Sequence, residues 1–195
     1  MKTRTKFIAG SGISAGALSV VFLLAFGDTM LVEGGYSNNP YDLGGQTMFG
    51  VTEAVARASG YTGLMWEMPI ETAQEIASTK YWRPMMLDNV AEMDDKLAMK
   101  LFDVGYNVGI YRAGRWFQRC LNVLNNKGAH YGDIYIDGRI GAQTISAFES
   151  YMARRDDAQT IGECIAGLQV AHYVSISESR IQNEEFTYGW IRRVD

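Results

Sequence analysis

The sequence has few of the residues that bind metal ions, since its 195 residues include only two histidines and two cysteines. These residues show none of the close spacings that bring ligands onto one face of a helix. We therefore expect no metal site and no organic cofactor. A basic balance is also lacking, because the net charge is −4, and this argues against a nucleic-acid partner. Only three prolines and no low-complexity run exclude a disordered linker protein.

Charge is missing altogether from one segment near the N terminus. Lys2, Arg4 and Lys6 are followed by 21 uncharged residues, 7–27, which as a helix would match a bilayer core of about 30 Å. Basic residues before such a segment predict a cytoplasmic N terminus and an exported body. Removing these three cations from the 18 basic residues leaves 15 against 22 acidic residues, so the remainder carries a net charge of −7.

This uncharged segment is weak for a membrane span, because ten of the 19 residues from Ile8 to Phe26 are glycine, serine or alanine. Such residues bury little apolar area. Three interpretations are open: a cleaved signal peptide with a small-x-small site at residues 25–27, a permanent anchor, or a signal-anchor that later leaves the bilayer. The low apolarity favours the third. Each interpretation places the body in the periplasm or outside the cell.

An exported body would meet an oxidising compartment, in which Cys120 and Cys164 could form a disulfide. The alternative is that both cysteines are small buried hydrophobic residues on separate helices. The sequence leaves both open and favours the second.

The rest of the chain is predicted to be mainly helical with one glycine-rich interruption. Residues 28–33 continue the N-terminal helix or form a short one, and residues 46–51 suit a short hairpin. Thr52 before Glu53 predicts a helix N-cap, and Gly60 ends that helix. Further helical patterns cover residues 70–82, 94–108, 113–125, 141–154 and 157–185. The tryptophans could be core residues or platforms for sugar rings, and the core is favoured for all four: Trp66, Trp82, Trp116 and Trp190.

The segment richest in chemistry begins at Glu33, where a helix meets two glycines. The negative end of the helix dipole and the apolar neighbours Leu31 and Val32 are expected to raise the pKa of this carboxyl. A protonated acid is what glycosidic cleavage needs. Asp42 in the following polar loop is expected to stay ionised and to position water or stabilise an oxocarbenium-like centre, and Thr47 could bind the water. Spacing alone favours a helix-end glutamate beside a turn aspartate without catalytic roles.

Other conspicuous residues allow two interpretations. Tyr36 could stack on a sugar ring or anchor local packing. Asn107, between Gly105 and Gly109, could line a glycan groove, although the small neighbours are equally explained by a close helix crossing. The pair Arg192-Arg193 could contact peptide-stem carboxylates, but a solvated chain end is favoured.

Several stretches carry a resemblance to a known family: Glu33-Gly-Gly-Tyr36, Asn39-Pro40, Asp42, Gly44-Gly45, Thr47, Gly50-Val51-Thr52, and residues 102–109, 137–144 and 189–194. Together they resemble glycoside hydrolase family 108, lysozyme-like muramidases found as phage endolysins and in related bacterial proteins. The resemblance covers nearly all of residues 28–195. It implies a mainly α, lysozyme-like fold with a short β-hairpin near the active site and Glu33 at the position of the catalytic glutamate. Residues 137–144 resemble a motif of peptidoglycan-binding modules.

The same segment is similar to phage-type lysozymes, in which a glutamate, an aspartate and a threonine follow one another. Asp42 fits the first spacing, whereas Thr47 comes one residue early. Asp42 is therefore the better-supported of the two. Thr52 offers an alternative hydroxyl, although capping is its expected role.

The resemblance and the residues together predict an endolysin that hydrolyses the β-1,4 bond between N-acetylmuramic acid and N-acetylglucosamine and lyses the host cell. Glu33 would be the general acid, and Asp42 the stabiliser or base. The alternatives are a lytic transglycosylase, which needs no second carboxylate, and a non-catalytic peptidoglycan-binding protein. We expect a signal-anchor segment in residues 1–27, a catalytic lobe in 28–95 and a helical peptidoglycan-binding lobe in 96–195.

The expected partners are peptidoglycan glycan strands and, through residues 7–27, the inner membrane. We expect a monomer that binds no nucleic acid. Its catalytic body would face the periplasm of the host and be freed there when the N-terminal helix leaves the bilayer.

Overall fold

The structure, a computed structural model, describes residues 18–33, 35–38 and 45–194, and for residues 31–33 the helical backbone only. The fold is mainly helical with one short hairpin, as predicted. The helices are α1 (Val20–Glu33), α2 (Glu53–Ala58), α3 (Ile70–Ala77), α4 (Leu87–Ala91), α5 (Asp95–Val108), α6 (Ile110–Leu124), α7 (Ala142–Arg155), α8 (Ala158–Ser179) and α9 (Glu184–Arg192). A π-helical turn (Ser78–Trp82) and 3-10 turns (Met65–Glu67, Arg83–Met85, Ile181–Asn183) join them.

Short-range signals in the sequence produce the hairpin and the helix starts that were predicted. Strands β1 (Thr47–Met48) and β2 (Val51–Thr52) pair antiparallel, with Thr47 opposite Thr52. The Thr52 hydroxyl then accepts the Val55 N–H at 3.3 Å and begins α2. In the same way the Asp94 carboxylate accepts the Leu97 N–H at 2.7 Å and begins α5.

Helix α1 continues from the uncharged segment into the body without a break. Its inward side buries Phe22, Ala25 and Phe26 in the hydrophobic core, each at most 2% exposed. The Phe22 ring meets the rings of Trp82 and Phe102 edge-on, at centroid distances of 5.4 and 5.7 Å. The end of the uncharged segment is therefore part of the folded core, and residues 28–33 continue the same helix.

Helix α1, with 14 residues, does not have the length of a membrane span. No helix among the described residues is both long and apolar enough to cross a bilayer. The predicted anchor begins at residue 7, and residues 7–17 lie outside the described part. The outward side of α1 exposes Val20, Leu23 and Leu24.

The long C-terminal helix predicted over residues 157–185 is interrupted, so that prediction was wrong. Helix α8 ends at Ser179, Arg180 is extended, and α9 starts at Glu184 after a 3-10 turn. The Asn183 amide donates to the Ile176 carbonyl at 2.9 Å and accepts from the Arg180 guanidinium at 2.9 Å. These bonds satisfy a carbonyl at the end of α8 and stabilise the turn.

The two cysteines form a disulfide, contrary to the favoured expectation of separate thiols. Cys120 on α6 and Cys164 on α8 are bonded, with their Cα atoms 6.0 Å apart, because these two helices pack against each other. The bond closes a loop with a sequence separation of 44 residues. In the chain-entropy account, a loop of this length adds about 4 kcal/mol to the free energy of unfolding.

The chain end is also less exposed than the sequence suggested. Arg193 forms an ion pair with Asp103 on α5 at 2.7 Å, and its side chain is only 9% exposed. The prediction of a solvated arginine pair was therefore wrong for Arg193. A partly buried, doubly hydrogen-bonded pair of this kind fixes the C terminus to α5.

Candidate active site

The predicted catalytic segment lies where α1 ends and the hairpin begins. Helix α1 ends at Glu33, and four residues later Ser37 pairs with Thr47 of β1. The two residues exchange backbone hydrogen bonds, with N–O distances of 3.0 and 2.9 Å. This short bridge holds the chain after Glu33 against the hairpin. The end of α1 and the hairpin are therefore neighbours, as the prediction of a hairpin near the active site requires.

Some predicted features of this segment cannot be compared with the structure. Asp42 lies outside the described residues, and so do the side chains of Leu31, Val32 and Glu33. The catalytic roles of Glu33 and Asp42 and the apolar setting of Glu33 therefore stay predictions.

The two threonines of the hairpin have different surroundings. Thr47 is half-buried, and its backbone N–H and carbonyl are both used by Ser37. Thr52 uses its hydroxyl as the N-cap of α2, as expected. Of the two hairpin threonines, Thr47 is therefore the one whose hydroxyl is not used as a helix cap. Its role in binding the water molecule stays a prediction.

An exposed pair of aromatic rings stands beside the hairpin. Tyr36 meets Trp66 edge-on, with the ring centroids 6.1 Å apart. The two residues are 41% and 51% exposed. The expectation that Trp66 belongs to the core was wrong, whereas Trp82 and Trp116 are buried as expected. Exposed, fixed aromatic faces of this kind suit contact with the apolar face of a sugar ring.

The segment that carries Trp66 is held firmly from both sides. The Arg57 guanidinium donates to the carbonyls of Tyr61 and Gly63 at 2.9 and 2.7 Å, and the Tyr61 hydroxyl donates to the Leu64 carbonyl at 2.9 Å. On either side of Trp66, the side chains of Met65 and Met68 are buried in the core. The indole is therefore exposed because its backbone is fixed in that position, not because the segment is loosely packed.

Asn107 lies on α5 next to a contact with the hairpin. The Tyr106 hydroxyl donates to the Phe49 carbonyl at 2.9 Å. The Asn107 amide donates to the backbone carbonyl of Asp103, one turn earlier, at 2.8 Å. A Cβ atom at Gly105 would lie 2.5 Å from the Met85 methyl group, so Gly105 leaves room for this buried side chain, whereas a Cβ atom at Gly109 would meet nothing within 4 Å. The close helix crossing expected at both glycines is therefore not found at Gly109. Substrate binding by Asn107 stays a prediction.

The motif in residues 137–144 is built around a buried glutamine that the sequence did not single out. The Gln118 amide on α6 donates to the Asp137 carboxylate at 2.9 Å and to the Arg139 carbonyl at 3.0 Å, and its oxygen accepts the Gly138 N–H at 2.8 Å. A Cβ at Gly114 would lie 2.3 Å from the Gly138 carbonyl oxygen. Asp137, Gly138 and Arg139 of this motif thus bind the loop to α6 through Gln118.

This network also affects titration. Hydrogen bonds from the Gln118 side chain and the Arg139 N–H hold the pKa of Asp137 below its usual value. Because the pKa of Asp137 is lower in the folded chain than in the unfolded chain, its ionised carboxylate stabilises the fold. This contribution to the stability is complete above the pKa of Asp137 in the unfolded chain and is lost as the pH falls through its pKa in the folded chain.

Among the residues that the structure describes, no group of three or more histidine, cysteine, aspartate or glutamate residues is arranged to hold a metal ion.

Comparison with protein families matches both halves of the chain. Residues 26–109 match the model of glycosyl hydrolase 108. Through these residues the chain contains a glycosyl hydrolase 108 domain. Residues 112–195 match a second model, described as a predicted peptidoglycan domain. The first match begins at Phe26 inside α1, and the two meet near the start of α6.

The fold is similar to that of a solved structure, "Structure of Brucella abortus SagA". The TM-score is 0.67 at 23% sequence identity, over 89% of this chain and 88% of that one. At this identity the likeness concerns the fold alone. No curated protein matches the sequence. Taken together, the two family matches identify the chain as a glycoside hydrolase that acts on peptidoglycan.

Proposed function

We propose that this glycosyl hydrolase 108 protein is a muramidase, an endolysin that hydrolyses the β-1,4 bond between N-acetylmuramic acid and N-acetylglucosamine. The main support is the position of Glu33 at the C-terminal end of α1, beside the hairpin that contains Thr47. The negative end of the helix disfavours a carboxylate there and favours the protonated acid. Glu33 is then the general acid that protonates the leaving oxygen.

The second half of the mechanism falls to the loop and the hairpin. Asp42 stabilises the positive charge that develops on the sugar ring or acts as base to the attacking water. Thr47 contributes a hydroxyl that orients this water. The chemistry needs only side chains and water, so we propose no cofactor.

The aromatic pair next to the hairpin supports a glycan polymer as substrate. Tyr36 and Trp66 together form an exposed aromatic surface, and Tyr36 follows Glu33 by only three residues in the chain. A sugar unit stacked on this surface would belong to the glycan strand that Glu33 cleaves. Tyr36 and Trp66 therefore bind and orient the glycan.

Replacing Trp66 with alanine is expected to weaken glycan binding by about 1–2 kcal/mol, which corresponds to about 5- to 30-fold in KM. The fold should be retained because Trp66 is 51% exposed and lies outside the hydrophobic core. Michaelis–Menten kinetics on soluble glycan strands measure the effect, and Trp66→Tyr should recover most of it. Tyr188→Ala removes an exposed ring on α9, 74% exposed against 51% for Trp66, and serves as control. An unchanged KM in Trp66→Ala would exclude stacking on Trp66.

The experiment that tests the function is mass spectrometry of the products from purified peptidoglycan digested by the full chain. New reducing ends on N-acetylmuramic acid are the expected result. Anhydro-muramic ends would instead identify a lytic transglycosylase, and reducing ends on N-acetylglucosamine would identify a different glycosidase. Binding without any cleavage would leave a peptidoglycan-binding protein.

We further propose that the chain is held at the inner membrane by residues 7–27 and is later released into the periplasm of the host. Phe22, Ala25 and Phe26 support this, because they belong both to the uncharged run and to the core around Trp82 and Phe102. These side chains can be in lipid or in the core, but not in both. The membrane-bound chain therefore lacks part of its core, and release completes it.

Replacing Gly10, Gly12 and Gly16 with leucine is expected to keep the helix in the bilayer and to delay lysis strongly, because each leucine adds buried apolar area. The timing of lysis after induced expression measures this, together with the distribution of the protein between membrane and soluble fractions. The matching triple alanine variant should stay closer to the wild type. Lysis of the leucine variant on the wild-type schedule would exclude release as the controlling step.

A further inference from the structure

A cavity lined by three arginines lies along α6. Arg112, Arg115 and Arg119 follow one another at spacings of three and four residues and so share one face of the helix. Together with Val108, Tyr111 and Trp116 they line a cavity of about 350 Å³. Helix α6 contains no acidic residue, although the chain as a whole is acidic.

The arginines are positioned by contacts that leave most of their donors available. The Arg112 guanidinium donates one bond to the Val108 carbonyl at 3.1 Å, and Arg115 donates one to the Ile136 carbonyl at 3.0 Å. Arg115 also lies over the Tyr111 ring, 5.8 Å from its centroid. A guanidinium has five N–H donors, so each keeps several free. Among the described residues, no acceptor bonds to the Arg119 side chain, and no carboxylate forms an ion pair with any of the three.

The neighbouring helix α8 contributes no carboxylate to the lining of the cavity. His172 contacts the Trp116 ring at a centroid distance of 5.8 Å. Burial, and then the charge of Arg112, lower the pKa of His172 below its usual value. The imidazole is therefore neutral at neutral pH, and the charge of the cavity comes from its arginines.

We propose that this cavity binds a carboxylate of the peptide stems of peptidoglycan. The proposal rests on the proposed function, since it assumes that peptidoglycan is the substrate. Planar guanidinium groups match the two oxygens of a carboxylate, and peptide stems carry free carboxylates on their acidic residues and at their ends. The exposed ring of Tyr111 offers a surface for the aliphatic part of the stem.

The position of the cavity fits this role. It spans residues 108–119, where the glycosyl hydrolase match ends and the peptidoglycan-domain match begins. An anion site here would hold the stem of a strand whose sugars are bound by the first half of the chain. The two halves would then recognise two chemical parts of one polymer, the glycan and its peptide.

The test is calorimetric titration of the full chain with a disaccharide-tetrapeptide that ends in N-acetylmuramic acid. This ligand lacks the bond that a muramidase cuts, so binding is measured without catalysis. The double variant Arg112→Gln, Arg119→Gln is expected to bind it about ten-fold more weakly or worse. The peptide-free disaccharide should bind both proteins alike. Arg154→Gln, which removes an exposed arginine from α7, is the matched control and should bind as the wild type does.

The source of the anion is tested with two further ligands. The same disaccharide-tetrapeptide with amidated carboxylates is expected to bind the wild type as weakly as the free form binds the double variant. Inorganic phosphate at equal concentration should displace little of the bound ligand. Equal affinity of the wild type and the double variant, or equally effective displacement by phosphate, would overturn the proposal.

These results are independent of the function test. If the arginine variants bind normally while product analysis finds new N-acetylmuramic acid ends, the cavity assignment is wrong and the muramidase stands. If binding depends on the arginines but no bond is cut, the anion site stands and the proposed activity is wrong.

Discussion

A chain that begins at Asp28 is expected to fail to fold, whereas a chain that begins at Leu18 is expected to fold normally. The shorter chain lacks Phe22, Ala25 and Phe26, which fill the core against Trp82 and Phe102. Loss of one buried phenylalanine side chain costs about 3–5 kcal/mol, and loss of two approaches the total stability of an ordinary domain of about 5–15 kcal/mol.

Thermal unfolding followed by circular dichroism distinguishes the two chains. Two point variants in the full chain separate loss of packing from loss of helix length. Phe22→Ala should lower the free energy of unfolding by several kcal/mol, because its ring is 1% exposed. Leu24→Ala, on the outward face at 56% exposure, should change it little. A stable, active chain beginning at Asp28 would show that α1 is not needed for the core.

This first prediction depends on a contact that the sequence could not reveal. Between residues 20 and 27 the sequence is uncharged and suits a bilayer, and the same apolar side chains suit a protein core equally well. Only the arrangement of α1 against α5 shows that Phe22 and Phe26 are part of the folded body.

Local features were predictable because a few neighbouring residues determine them. Thr52 and Asp94 begin helices with their own side chains, and the hairpin turn lies between strands that are adjacent in the sequence. The family resemblance likewise pointed to the glycosyl hydrolase match, whereas the catalytic roles of Glu33 and Asp42 stay predictions.

Long-range features were missed because they depend on partners far away in the sequence. Arg193 is held against α5 by an ion pair with Asp103, 90 residues earlier. Cys120 and Cys164 form a disulfide because α6 and α8 pack together. Trp66 is exposed because hydrogen bonds and buried methionines around it fix the backbone. Hydrophobicity alone assigns a tryptophan to the core, and nothing in the local sequence corrects that assignment.

The Glu33→Gln variant is expected to fold, to bind peptidoglycan and to lose about 10²- to 10⁴-fold in hydrolysis, the range that a positioned general acid contributes. Glutamine keeps the shape of the side chain at the end of α1 but has no acidic proton for the leaving oxygen. Release of reducing ends from purified peptidoglycan measures the loss, and pelleting with the same material measures binding. Glu149→Gln on α7 removes an exposed carboxylate elsewhere and should retain full activity. If Glu33→Gln cleaved at the wild-type rate, Glu33 would be only the last residue of a helix, and the acid would have to be another group.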